Sequence, residues 1–329
     1  MDRLAILETV LITGAAGFIG RTLAERLRAD GVKARGVDFA ADPANDVIAG
    51  DVGSAGPWQQ AAAGCDTVIH TAAIVSNAAS AGDAWRINVL GTRNALDAAI
   101  AGGARRFVHF SSVRAFGDVG FPDGVDERWP VRPDGHTYVD TKIASEQVVL
   151  QSHAAGEIDC TVIRPGDVYG PGSRPWTILP VEAIAAGRFC LPAMGRGVHS
   201  PIYVDDLAAG VLAAARSSEA AGQVLTISGG VGVSCNEFFG HYARMLGKPP
   251  ARRVPTAVAM ALAAIPETAA WLTGNSTELR RSSVIYMTRT GTYSIEKARR
   301  LLGWEPAVDL AEGMRRTEAW LRETGLVPA

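Results

Sequence analysis

Three glycines set between a short apolar run and a helical pattern constrain this fold more than any other segment. Val10-Leu11-Ile12-Thr13 is apolar enough to be a strand buried on both faces of a parallel sheet. Gly14-Ala15-Ala16-Gly17-Phe18-Ile19-Gly20 follows it directly. From Phe18 to Asp30, the apolar residues Ile19, Leu23 and Leu27 recur at helical spacing, and Gly31 is a natural stop. The chain must therefore pass from a buried strand into a helix within a few residues. Gly14 permits the tight turn, and Gly20 lets the helix pack near the strand. Gly17 leaves no Cβ where the new helix presents its free N–H groups and the positive end of its dipole. A pyrophosphate fits that place, with Ala16, Gly17, Phe18 and Ile19 around it.

The alternation continues along the chain. Ala34 to Val37 reads as a second strand, Thr67 to His70 as another, and Ala84 to Ala101 as a helix. Arg106 to Phe110 is a further strand, Thr137 to Ser152 is helical, and Cys160 to Ile163 is again a strand. This order predicts an α/β fold, a Rossmann-type doubly wound parallel sheet covered on both faces. The rhythm changes after Arg164-Pro165-Gly166, where glycines and prolines cluster as far as Pro180. Residues 1–165 therefore read as a dinucleotide-binding domain, and 166–329 as a smaller mixed α/β region on the substrate side. No linker, repeat or low-complexity tract separates them, so the two are expected to interleave.

Asp38 ends the second strand, 18 residues after Gly20. A carboxylate there accepts hydrogen bonds from an adenosine ribose and repels a 2′-phosphate. Phe39 follows it rather than an arginine, so NAD is the expected cofactor. Asp51-Val52 ends another short segment, where a carboxylate can meet the adenine amino group; a turn-forming aspartate reads equally well. His70-Thr71-Ala72-Ala73 closes a strand with small residues that let a cofactor lie close, and His70 itself reads as a packed, hydrogen-bonded side chain.

The chemistry is carried farther on. A tyrosine hydroxyl has an ordinary pKa near 10 and is a poor base at neutral pH. An ammonium four residues later shares its helix face and favours the phenolate. Tyr138 and Lys142 have that spacing, and Ser111-Ser112 ends the strand before them. Ser112 can hold a substrate oxygen while Tyr138 takes the hydroxyl proton and hydride leaves the carbinol carbon. Lys142 can also bind the nicotinamide ribose. Tyr-x-x-x-Lys is common by chance, but not in register with the glycine turn, Asp38 and a serine of this kind.

The bulk properties exclude other classes. The 329 residues carry a net charge of −2, with no basic stripe to suggest nucleic acid. Cys65, Cys160, Cys190 and Cys235 are far apart, which argues against a disulfide framework and a zinc site; no metal is expected. A reducing, cytoplasmic setting fits. Met1-Asp2-Arg3-Leu4 leads almost directly into a strand, with no signal peptide visible. The longest apolar stretch runs from Val254 to Leu272, but Pro266 interrupts it, so it reads as a buried or pocket-lining helix rather than a membrane span.

Together these residues resemble the extended short-chain dehydrogenase/reductases, the NAD-dependent epimerase/dehydratase superfamily. Besides Thr13 to Gly20, Asp38, Ser112 and Tyr138 to Lys142, the likeness rests on Asn88-Val89-Leu90-Gly91-Thr92, on Arg164 to Gly172, and on Tyr203-Val204-Asp205-Asp206. It covers nearly the whole chain. It implies Tyr138 as acid/base, Lys142 as its electrostatic partner, and Ser112 as donor to the substrate oxygen. Ser112 is preferred to Ser111 because the family's serine stands five residues before a glycine, here Gly117. Asn88 would brace the central helix near the cofactor, Pro165 to Val168 would pass the nicotinamide, and Asp205 and Asp206 would be structural. A homodimer through the Ala84–Ala101 and Thr137–Ser152 helices is also implied.

Within the superfamily, three features resemble the 3β-hydroxysteroid dehydrogenase-like branch: the alanine-rich helix from Val254 to Gly274, the ending Ile295 to Pro306, and His199 to Ile202 where sugar-nucleotide enzymes often carry an arginine. The expected reaction is NAD-dependent interconversion of a secondary alcohol and a ketone on a hydrophobic, steroid-like small molecule. An NDP-sugar epimerase or dehydratase retaining its NAD is the alternative, kept open by Arg174 and Arg196. A dinucleotide-binding scaffold without turnover would not need Tyr138 and Lys142.

Overall fold

A computed structural model describes residues 6–273, 275–278 and 280–328. Met1 to Leu4 and Gly274 lie outside the described residues. Seven strands pair in one wholly parallel sheet: β1 (Thr9–Thr13), β2 (Lys33–Asp38), β3 (Val47–Ala49), β4 (Thr67–His70), β5 (Arg106–Phe110), β6 (Asp159–Pro165) and β7 (Val224–Ile227). Their order across the sheet is β7-β6-β5-β4-β1-β2-β3. The order reverses between β1 and β4, and their last residues, Thr13 and His70, lie side by side. Ligands of open α/β sheets bind at such a switch point, outside the carboxyl ends of the strands.

Alternate residues of each strand feed opposite faces. Val10 and Ile12, Ile69, Val108 and Phe110, and Ile163 enter one core; Leu11, Val68, Phe107 and Val162 enter the other. The first core is covered by α1 (Phe18–Ala29) through Leu23 and Leu27. The second is covered by α2 (Gly91–Ala101) through Ala95, Leu96 and Ala99, and by α3 (Thr137–Ala154) through Val149. Helix α4 (Val204–Arg216) returns to the first face with Leu207 and Val211. That core holds Leu7 at one extreme and Val327 at the other. β3 and β7 are short and were not evident from periodicity; β7 adds a strand from the second half of the chain to the sheet of the first. Asp206 accepts from the Ala307 and Val308 N–H groups at 3.1 and 2.8 Å, which ties α4 to the C-terminal segment.

Helix α5 (Thr256–Thr273) departs from the expected buried helix. Ala259 and Ala263 are buried against Val284, with Met260 packed alongside. Val258, Leu262, Ile265, Trp271 and Leu272 are exposed by 45, 48, 66, 80 and 70%. The reason is one of cover. Its close packing partner is the short helix Arg281–Tyr286, which spans only one face.

Candidate active site

The glycine turn sits where β1 ends. Gly14 has φ +73°, and a Cβ there would come within 2.7 Å of the Ala72 backbone nitrogen. A Cβ on Gly20 would lie 2.2 Å from the Gly14 carbonyl oxygen, so helix and loop touch only because it is absent. Gly17 is exposed, and as the residue opening α1 it has no side chain to cap the helix. Those N–H groups remain for an anion. Asp38 accepts from Ala16 N–H at 2.9 Å and from Phe39 N–H at 2.7 Å, which places its carboxylate beside the loop. Thr71 donates to the Thr13 carbonyl at 2.7 Å, and Ala72 and Ala73 continue half-buried along the same floor. The Phe18 ring lies 3.6 Å from where a Cβ of Gly172 would stand, bringing α1 against the turn after Val168. Ile19 is half-buried beside it. These residues form a cradle that fits a dinucleotide.

Other expected contacts are placed differently. Asp51 is bound to Arg86 at 2.6 Å and accepts from Gly53 N–H at 2.9 Å, so its carboxylate is held in a turn. Val52 is buried in the core. Val168 also turns its side chain into the core, following Pro165 at the end of β6. His70 is fully buried, with Nδ1 2.7 Å from the Thr13 hydroxyl and Nε2 3.1 Å from the Thr92 hydroxyl. Thr92 donates to the Asn88 carbonyl, so it accepts from His70 Nε2–H. Burial, then the Lys142 charge, push the His70 pKa down to about 3. It is a neutral, packed histidine.

Asn88 lies in a π-helical turn, Arg86–Leu90, just before α2. Its side chain accepts from Ile74 N–H at 2.7 Å and donates to the Ile74 carbonyl at 3.1 Å and the Thr141 hydroxyl at 3.0 Å. It thus joins the segment after β4 to the helix carrying Tyr138 and Lys142. π-turns often mark functional sites because they re-aim one helical residue.

Tyr138, Lys142 and Ser112 converge at the carboxyl end of β5. Ser112 is hydrogen-bonded to Tyr138 and accepts from Arg114 N–H at 3.2 Å. Ser111 is buried and its hydroxyl has no partner. Burial raises the Tyr138 pKa, while the Ser112 hydrogen bond and then the Arg114 charge oppose the rise. Lys142 follows Tyr138 by four residues on the same helix and is buried. Its ammonium donates to the Phe110 carbonyl at 2.7 Å, and burial brings its pKa down to about 8 against the opposing pull of Glu146. The Phe110 carbonyl ends β5, where that interior strand of the sheet gives way to Ser111 and Ser112.

Arg114 and Asp118 were not singled out by the sequence. Arg114 lies 5.7 Å from the Tyr138 ring centre and 4.9 Å from that of Tyr286. It holds Asp118 through two hydrogen bonds, at 2.8 and 2.5 Å. Burial works against the guanidinium charge, but the Asp118 pairing outweighs it and raises the Arg114 pKa. Asp167 is a second such case. It is fully buried, 2.8 Å from Arg289, and also accepts from Tyr286 and from Ser200 N–H. Burial raises its pKa, and Arg289 followed by His199 more than offset this, so the carboxyl sits below its usual range.

A cavity of about 290 Å³ is lined by Thr137, the residue before Tyr138, and by Asp118, the partner of Arg114. Asp118, Asp134, His136, Glu267, Arg280 and Ile285 are among its walls, with Ser76, Asn77 and Ser282. Glu267 is the part of α5 that reaches it. Among these described walls, three carboxylates face one arginine. Asp118 and Glu267 are each paired, with Arg114 and Arg281. The charge around the cavity therefore balances near zero. Among the described residues no group of histidine, cysteine and carboxylate side chains could hold a metal.

The family model described as "NAD dependent epimerase/dehydratase family" matches residues 10–228. The chain belongs to this family. As a member it is an NAD-dependent enzyme. It is 30% identical, over 92% of its length and 93% of the relative's, to a 4-hydroxy-2-methyl-3-oxo-4-farnesyl-3,4-dihydroquinoline-1-oxide ketoreductase from Stigmatella aurantiaca. It is also 30% identical to a dTDP-glucose 4,6-dehydratase from Streptomyces griseus, over 94% of this chain and 93% of that one. A 3 beta-hydroxysteroid dehydrogenase/Delta 5-->4-isomerase from Mycobacterium tuberculosis is 34% identical over 55% of this chain and 53% of its own. Among solved structures, MoeE5 in complex with UDP-glucuronic acid and NAD has a TM-score of 0.78 at 26% identity, covering 96% of this chain and 99% of that one. The family therefore spans net redox and sugar-nucleotide chemistry.

Proposed function

We propose that this family member catalyses net oxidation or reduction between an uncharged secondary alcohol and its ketone, on a hydrophobic, steroid-like body. The observation that carries the reading is the near-neutral cavity walled by Thr137 and Asp118, at the start of the helix that carries Tyr138. A nucleoside diphosphate brings two negative charges, and a wall whose charges balance offers it no net attraction. Arg114 and Arg281 are each committed to a carboxylate, and Arg280 is the one arginine among the described walls. The names of the Stigmatella and mycobacterial relatives, a ketoreductase and a steroid dehydrogenase, support the same class.

In this reading bound NAD supplies the hydride acceptor. Ser112 donates to the substrate oxygen, and the Tyr138 phenolic oxygen takes the hydroxyl proton, or returns it in reduction. Lys142 serves the nicotinamide ribose side, and Gly14, Ala16 to Gly20, Asp38 and Thr71 to Ala73 hold the dinucleotide. Dimerisation would use the exposed Trp85 and Leu90 beside α2. The four free thiols suit the cytoplasm. The Streptomyces dehydratase and MoeE5 keep sugar-nucleotide chemistry as the alternative. The test is a panel of sterol-like alcohols and ketones beside UDP- and dTDP-sugars, following NADH absorbance and product identity. Stoichiometric NADH from an alcohol supports the proposal. Interconversion of two nucleotide sugars, with no net NADH from any alcohol, would replace it.

A further inference from the structure

We infer that the outward face of α5 docks this protein onto an anionic lipid surface. Val258, Leu262, Ile265, Ala269 and Leu272 follow one another at helical spacing and are all exposed. Glu267 is the single charged residue of the 18 in the helix, and it points the other way, into the cavity wall. The polarity is thus inverted: small alanines, Ala259 and Ala263, meet the protein, and the large apolar side chains meet solvent. A stripe of that size is abnormal for a face in water.

Charge identifies the occupant. From Phe238 to Pro266 there is no Asp or Glu, while Arg244, Lys248, Arg252 and Arg253 are all exposed. Arg252 and Arg253 form the short strand just before α5. An apolar helical face led in by four cations has the chemistry of an interfacial helix, whose binding adds apolar burial to attraction for anionic headgroups. A second copy seated on the same face would bring the two cationic segments together. The helix lies on the surface rather than crossing it, because one face is packed on Val284 and Pro266-Glu267 interrupts the apolar run. Docking stands on the helix and its cations. One consequence rests on the oxidoreductase reading: with Glu267 opposite the stripe, the cavity lies near the lipid, and a lipid-soluble ketone has a short path into it.

The experiment is cosedimentation of the full chain, with NAD and no substrate, using phosphatidylcholine vesicles with or without phosphatidylglycerol. Wild type should pellet with the anionic vesicles and release as salt is raised. Leu262→Asp/Ile265→Asp should weaken partition at least about tenfold. Arg252→Glu/Arg253→Glu, which leaves the helix untouched, should weaken it several-fold on anionic vesicles only. Circular dichroism and NAD binding check that both variants fold. Wild type remaining in the supernatant, or both variants pelleting like wild type, overturns the inference. A dimer that Leu262→Asp/Ile265→Asp dissociates, without vesicle binding by wild type, also overturns it and gives the face to a second copy. Because no substrate is present, failure of the reaction assigned above leaves this result independent.

Discussion

Replacing Arg114 with Met should move the pH profile of the reaction to higher pH. The guanidinium carbon is 5.7 Å from the Tyr138 ring centre. At an effective dielectric of about 20, a unit charge at about 6 Å favours a phenolate by roughly 2.8 kcal/mol. The Asp118 carboxylate, taken as about 3 Å farther away, opposes this by roughly 1.8 kcal/mol. The pair together therefore favours the phenolate by about 1 kcal/mol, but Arg114→Met removes the guanidinium and leaves the carboxylate, so its expected shift is the full roughly 2.8 kcal/mol, about 2 pH units. The sign follows from the chemistry: losing the cation disfavours phenolate, so the tyrosine pKa rises. Asp118→Asn removes only the opposing charge and should move the profile the other way. The assay is kcat/KM for alcohol oxidation from pH 6 to 10, with NAD saturating, in wild type and both variants. The limb that rises toward the Tyr138 pKa should move to higher pH in Arg114→Met and to lower pH in Asp118→Asn. If both variants keep the wild-type inflection while activity drops, Arg114 acts through packing alone and the electrostatic reasoning is wrong.

Tyr138→Phe should lower turnover by about a hundred- to ten-thousand-fold with NAD binding retained, checked by kcat and NAD titration; near wild-type rates would remove the phenol from the mechanism. Asp38→Ser should narrow the preference for NAD over NADP, because a ribose acceptor and a repulsive charge both go; the ratio of the two kcat/KM values measures it, and a wild type preferring NADP would contradict the role. Glu146 and Arg164 form a buried bidentate pair at 2.8 and 2.7 Å. Glu146→Leu should cost about 3–5 kcal/mol in urea unfolding, since it strands a buried guanidinium.

The parts of this protein legible in its sequence are those written locally. Leu11 and Ile12 announce a strand buried on both faces, and Gly14, Gly17 and Gly20 announce the turn, because each acts on neighbours a few residues away. Tyr138 and Lys142 share a helix face by spacing alone. Contacts between distant segments leave no such trace. Asp167 and Arg289 pair across 122 residues with no periodicity to betray them. Arg114 is an ordinary surface residue by composition, yet folds over Tyr138 because the turn Val113–Phe116 curls back beneath α3. Hydropathy marked α5 as apolar but could not show which side would find cover. The spacing places Lys142 one helical turn from Tyr138, but its hydrogen bond to the Phe110 carbonyl, 32 residues away, is invisible in the sequence.

The seventh strand has a consequence for how this polypeptide is made. Val224–Ile227 pairs with β6, so the sheet's far edge is closed only by residues emerging long after the nucleotide cradle. A growing chain on the ribosome must therefore hold β6 as an open, apolar edge while more than fifty further residues are added. Such an edge recruits other strands. Fragments ending near residue 165 should accumulate as aggregates rather than as small NAD-binding units, and synthesis of the whole chain should benefit from a chaperone that shields that edge until β7 arrives.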